Sequence, residues 1–108
     1  MALTILNFAD GNLAAGLAVI YTAPALTKAV IRSASFCNAT AGPVALTVEL
    51  MPRTAGTLRS IVNARTLAAN ETYLCPELIN QVLEAGGTIQ ASGLNLEYSV
   101  SGTQVTNG

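Results

Sequence analysis

Val44-Ala-Leu-Thr-Val-Glu-Leu-Met51 is the stretch of sequence that decides the fold. Its apolar even positions, from Val44 to Leu50, alternate with small or polar residues such as Thr47 and Glu49. Alternation with period two is typical of a strand that buries one face. Residues 94–100 repeat the pattern, with one face formed by Leu94, Leu96, Tyr98 and Val100 and the other by Asn95, Glu97 and Ser99.

Weaker strand candidates lie on both sides of these two, at residues 3–8, 18–22, 28–38, 58–65, 71–74, 88–91 and 103–105. Turn-forming pairs separate them, among them Asp10-Gly11, Gly42-Pro43 and Gly86-Gly87. About eight short strands with regular turns predict an all-β domain, a jelly-roll-like β-sandwich. Periodicity does not encode strand order, so an immunoglobulin-like topology stays open. At 108 residues, one domain spanning 1–108 is expected.

Three segments depart from simple alternation. Residues 28–38 mix polar and apolar side chains on both faces, as in a strand that bends or whose outer face meets a partner. Residues 76–85 place apolar side chains at helical spacing after Pro76 and before Gly86, which predicts one short helix. Residues 11–16 and 101–108 have the composition of loose arms.

The composition excludes several classes of function. Hydrophobic residues make up 51% of the chain and charged residues only 10%, against about 25% charged in an average soluble domain. Five dispersed basic residues form no nucleic-acid footprint, and no apolar run is long enough for a membrane helix. The N-terminal residues lack a basic region, so we expect no signal peptide. The missing surface charge favours burial of apolar faces against other subunits.

No catalytic, metal or cofactor site is expected. The chain has no histidine, which removes the usual metal sites and the Ser–His and Cys–His mechanisms. Cys37 and Cys75 are expected to stay reduced, and Cys75 to be structural, although its place before a predicted helix leaves a reactive thiol as a minor alternative. A second alternative is a sugar-binding or receptor-binding module that uses the five dispersed aromatic residues.

Several phrases of the sequence are similar to those of a known group of proteins. Tyr21-Thr-Ala-Pro24, Phe36-Cys-Asn38 and Glu71-Thr-Tyr-Leu-Cys-Pro-Glu-Leu78 resemble small virion proteins of tailed bacteriophages and prophages. Within that group, the size and β-rich pattern look most like the capsid decoration proteins, also called cement or staple proteins, of short-tailed phages. These resemble jelly rolls and sit on the outer shell.

The resemblance implies a virion structural protein, not an enzyme, that binds the major capsid protein and stabilises the shell. It implies a place on the capsid surface, assembly in the host cytoplasm, and self-association as a dimer or trimer. The same sequence features are also compatible with a tail, neck or fibre-base structural subunit. For contact with a partner we expect the N-terminal strand and the strand of residues 28–38, with the contact residues Leu3, Ile5, Leu6, Phe8, Arg32 and Phe36.

Overall fold

Nine strands and one 3-10 turn form the described part of the chain, residues 2–106 of a computed structural model. The strands are β1 (Ala2–Asn12), β2 (Ala18–Thr22), β3 (Thr27–Cys37), β4 (Val44–Met51), β5 (Arg59–Leu67), β6 (Thr72–Tyr73), β7 (Val82–Leu83), β8 (Thr88–Ser92) and β9 (Glu97–Thr106). The 3-10 turn spans Pro76–Leu78. The predicted β-sandwich is therefore confirmed.

The strand order is that of a jelly roll. The first sheet runs β1-β9-β3, with β6 and β7 both paired to the far edge of β3, and the second sheet runs β2-β8-β4-β5. Nearly every neighbour in a sheet comes from a distant part of the chain, because the chain crosses between the sheets at most connections. This interleaving is the double Greek key of a jelly roll, and it resolves the alternative that periodicity left open.

The core lies between the two sheets. Leu46 and Val48 of β4 are fully buried and Leu50 is 4% exposed, as their alternation predicts. Phe36, Ile89 and Val100 are also fully buried and come from both sheets. Each large side chain removed from water contributes about 1.5–3 kcal/mol, so the interleaved faces stabilise the domain together.

A β-bulge explains the mixed faces of β3. Ala29 and Ile31 are buried, the register with β9 shifts between Ile31 and Ser33, and Ala34 and Phe36 are buried after the shift. One extra residue inverts the alternation, so positions that share a face by strict parity do not share it in the fold.

The predicted helix at residues 76–85 is wrong beyond its first turn. Pro76 and Glu77 do start a 3-10 turn, but the chain turns again at Asn80, whose φ is 68°, and continues into β7. β6 and β7 both pair antiparallel with β3, so the segment is one edge strand interrupted by a turn. The apolar spacing arose because Leu78 and Leu83 reach the core from this turn and strand.

Three other expectations need correction. Asp10 and Gly11 do not turn the chain but lie within β1, opposite Ser99 and Tyr98. Leu94 is not a core residue: it is 55% exposed in the turn before β9, where Asn95 has a φ of 64°. The supposedly loose tail is strand as far as Thr106; residues 107 and 108 lie outside the described part of the chain.

Candidate functional site

An exposed apolar strip crosses the outer face of the first sheet. Leu3 and Ile5 of β1 are 69% and 83% exposed, which is unusual for large aliphatic side chains. Directly opposed residues in antiparallel strands share a face, so the strand register defines the neighbours of these two. We call the set the apolar strip: Leu3, Ile5, Leu26, Val30, Val82 and Val105.

The register carries the strip from one edge of the sheet to the other. Leu3 lies opposite Val105, and Ile5 lies opposite Thr103. Thr103 in turn lies opposite Val30, which lies opposite Val82 of β7. The strip therefore connects four strands, and it does so at one end of the sheet only.

A shallow groove of about 710 Å³ forms the far end of the strip. Leu26, Val30, Val82 and Val105 line it together with Lys28 and Glu84. The Lys28 ammonium lies 3.9 Å from the Glu84 carboxylate, and both side chains are largely exposed. The groove is thus apolar at its base and bears one positive and one negative charge at its rim.

The other end of the outer face is more mixed. Beyond the strip, Ser33 lies opposite Ser101 and Ser35 lies opposite Ser99. Ser33, Ser35 and Ser99 line a second groove, of about 500 Å³, together with Leu74, Pro76 and Ile79. The four-strand apolar strip itself lies at the end of the sheet that carries β7 and the start of β1.

The predicted contact residues fall into three groups. Leu3 and Ile5 lie in the apolar strip. Leu6 is half-buried on the other face of β1, and Phe8 stacks on Tyr21 with ring centroids 4.5 Å apart. Arg32 is exposed, and its Nη1 donates a hydrogen bond to Asn80 Oδ1 at 2.9 Å.

Phe36 is the exception. It is fully buried in the core beside Tyr98, with ring centroids 6.4 Å apart. The bulge in β3 turns it inward, so Phe36 cannot contact a partner directly and leaves the predicted surface.

Sequence reasoning missed Leu26 and three valines, Val30, Val82 and Val105. Val30 lies in the segment whose mixed faces the pattern does not resolve, because hydrophobicity does not mark the bulge, and Val82 lies in the predicted helix. Val105 lies in a segment that has the composition of a loose tail. Only strand pairing across the sheet brings the three together.

Cys75 is a buried residue whose pKa disfavours the thiolate. Burial, and then the negative charge of Glu77, raises the pKa of the Cys75 thiol to about 12. The residue has a φ of 37°, in the left-handed region, immediately before the 3-10 turn. At neutral pH the side chain is therefore a neutral core group, and Cys37 and Cys75 are both free.

Tyr73 joins a small polar cluster beside this turn. Its hydroxyl donates a hydrogen bond to Glu77 Oε1, and the Arg65 guanidinium lies 4.1 Å from its ring centroid. Desolvation and the bond to Glu77 raise the pKa of Tyr73 to about 12, while the same bond lowers the pKa of Glu77. The cluster fastens the interrupted edge strand to β5.

Asn38 is a structural residue that directly follows β3. It is fully buried, and its Nδ2 donates to the carbonyl oxygens of Gly42 at 2.8 Å and Leu67 at 2.9 Å. Its Oδ1 accepts bonds from the amide and the hydroxyl of Thr40. The side chain therefore ties the end of β3 to the end of β5.

Among residues 2–106, no group of three or more cysteine, aspartate or glutamate side chains could hold a metal ion. Within the same described range, no helix is long and apolar enough to cross a membrane.

Comparison with protein-family models and with curated proteins gives no match. Among solved structures, a chain of the T13 IBDV viral particle is similar, with a TM-score of 0.52 and 11% identity over 95% of this chain and 30% of that chain. A chain of the infectious bursal disease virus VP2 subviral particle is similar at a TM-score of 0.49 and 13% identity, over 95% of this chain and 32% of that chain.

The chain thus spans about a third of the length of the solved chains it matches. At such low identity the likeness shows the fold alone.

Proposed function

We propose that this chain is a structural protein of a bacteriophage virion that decorates the head, binding the outer surface of the major capsid protein shell and stabilising it. The observation that carries the proposal is the apolar strip, whose most exposed member, Ile5, is 83% accessible. A contiguous exposed apolar patch with a polar surround is typical of a surface that binds protein.

Two further features support this role. The chain is poor in charge, with 10% charged residues, as expected of a subunit that buries much of its surface in an assembly. Its fold also occurs in chains of icosahedral virus particles, where jelly rolls build shells. The phrases around Tyr21, Phe36 and Glu71 that resemble phage virion proteins point to the same class.

The proposed mechanism is mass action. A protein that binds the assembled shell, but not its separated subunits, shifts the equilibrium toward the shell by an amount that grows with its free concentration. The apolar strip supplies the affinity, and Lys28 and Glu84 at the rim of the groove set the orientation through their opposite charges.

A sugar-binding role finds less support in the geometry. Phe8 and Tyr21 stack on each other, Phe36 is buried, and Tyr73 lies under Arg65. No two of these rings form an exposed platform, because each is already packed against a neighbour.

The experiment that tests the proposal mixes the purified chain with expanded phage heads that lack decoration. Cosedimentation and electron microscopy should show ordered extra density on the outer surface, and the heads should dissociate at a higher temperature. A chain that neither sediments with heads nor changes their stability would contradict the proposal. If the chain binds only tails or necks, the protein is a structural subunit of those parts of the virion and not of the head.

A further inference from the structure

The free edge of β1 is open to another strand. Among the described residues, β1 pairs with β9 along one edge, and no strand pairs with the other. Native proteins protect such edges with lysine, proline, bulges or charges. In β1 these protections lie in the second half only: a bulge between Asn7 and Ala9, and the charge of Asp10.

The first half of β1 has none of them. Residues 2–7 contain no charged residue and no proline, and Leu3, Thr4 and Ile5 are all exposed. Both faces of the strand are thus accessible where its backbone edge is unpaired. Such a segment is a template for β-augmentation.

Two-fold symmetry allows an axis at any residue of β1, and the apolar pattern favours one of these registers for a second copy. An antiparallel pair of identical strands has a two-fold axis perpendicular to the sheet, so opposed residues lie on the same face. An axis at Thr4 places Leu3 opposite Ile5 of the other copy, and Ile5 opposite Leu3. An axis at Ile5 would instead place Leu3 opposite the polar Asn7.

Charge does not oppose a second copy. With the axis at Thr4, the two Asp10 carboxylates lie about 40 Å apart at the usual strand rise of about 3.4 Å per residue, so they do not repel each other. The segment that forms the contact is itself uncharged. A second copy therefore matches the apolar pattern and meets no charge repulsion.

We propose that this chain forms a dimer in which residues 2–6 of two β1 strands pair antiparallel about a two-fold axis at Thr4. The two first sheets then join into one, and both apolar strips lie on the same side of it. This inference goes beyond shell binding and needs no shell. If the proposed function also holds, the dimer presents two joined strips to the shell and gains avidity.

A designed cross-link tests the dimer. Opposed Cα atoms in an antiparallel pair are about 4.5–5.5 Å apart, within the about 4.4–6.8 Å that a disulfide spans. In a Cys37→Ser background with any tag at the C-terminus, Thr4→Cys should oxidise to a covalent dimer on a non-reducing gel. Asn12→Cys, exposed on the same strand, is the matched control and should stay monomeric.

Solution mass gives the second readout. Light scattering should give twice the 11.1 kDa chain mass for the wild type and the single chain mass for Ile5→Lys, with Asn12→Lys still dimeric. A wild type that is monomeric at about 100 µM, a trimer, or an Ile5→Lys protein that stays dimeric would each overturn the inference. None of these results bears on shell binding, which is measured separately.

Discussion

Replacing Asn38 by alanine should lower the stability of the domain without touching the apolar strip. Four hydrogen bonds hold the buried Asn38 side chain, two donated to the carbonyls of Gly42 and Leu67 and two accepted from Thr40. Each intramolecular bond contributes about 0.5–1.5 kcal/mol net, and a buried group left without its partner costs about 1–3 kcal/mol. We therefore expect Asn38→Ala to lose about 2–4 kcal/mol.

The assay is thermal unfolding followed by circular dichroism. For a domain of this size, 1 kcal/mol corresponds to about 4–8 °C, so a loss of about 2–4 kcal/mol should lower Tm by roughly 8–32 °C. Asn38→Asp keeps the Thr40 bonds but turns a carboxylate toward two carbonyl oxygens, and it should be at least as unstable. The control is Asn63→Ala, at an exposed position of β5, which should change Tm by only a degree or two.

A Tm of Asn38→Ala within about two or three degrees of the wild-type Tm would be no larger a change than an exposed substitution causes. In that case the four hydrogen bonds do not stabilise the domain. The junction between β3 and β5 would then be held by other contacts.

Three further predictions follow from the core, the first sheet and the buried thiol. Leu46→Asp places an unpaired charge at a fully buried position of β4 and should prevent folding; a folded, soluble variant seen by circular dichroism would show that β4 faces the other way. Gly102→Ala sets a methyl group against the Val30 carbonyl oxygen and within 2.9 Å of the Phe8 ring, so it should lower Tm by several degrees, whereas Gly42→Ala, with no neighbour within 4 Å, should not. Cys75 should resist iodoacetamide at pH 8 in the native state while Cys37 reacts, as read by mass spectrometry; fast labelling of Cys75 would refute its burial. Because folding raises the pKa of Cys75 from 9.0 to about 12, its contribution to stability should be complete below pH 9 and disappear as pH rises toward 12.

The sequence predicted the sandwich because alternation is a local property. Leu46 and Val48 face the core wherever β4 pairs, so the pattern alone identifies their burial. The bulge after Ile31 adds one residue to β3, and the hydrophobic pattern does not reveal it. Because of this extra residue, the side chains after the bulge lie on the opposite face from the one that strict alternation assigns. The spacing of Leu78 and Leu83 fits both a helix and a turn followed by a strand, and the pairing of β7 with β3 decided for the strand.

The candidate site was predicted only where it is local. Leu3 and Ile5 stand out as an apolar pair in a short N-terminal strand, whereas Val30 and Val82 become neighbours only when β3 pairs with β7. A surface assembled from four strands depends on strand order. That order depends on how the whole chain packs, so no single segment of the sequence predicts it.

One pair of leucine variants shows whether the apolar strip binds the shell. Leu26 lies in the strip, and Leu74 lies outside it; both are 68% exposed. Each is replaced by serine, and the dissociation constant for undecorated heads is measured by cosedimentation. Leu26 precedes β3, which β9 separates from β1, so its replacement leaves the free edge of β1 and the proposed dimer intact.

Burial of a leucine side chain contributes about 1.5–3 kcal/mol, and about 1.4 kcal/mol corresponds to a tenfold change in affinity. Leu26→Ser should therefore raise the dissociation constant at least about tenfold. Leu74→Ser should bind with the wild-type dissociation constant. Equal affinity of the two variants, or a larger loss of affinity in Leu74→Ser, would show that the apolar strip does not bind the shell.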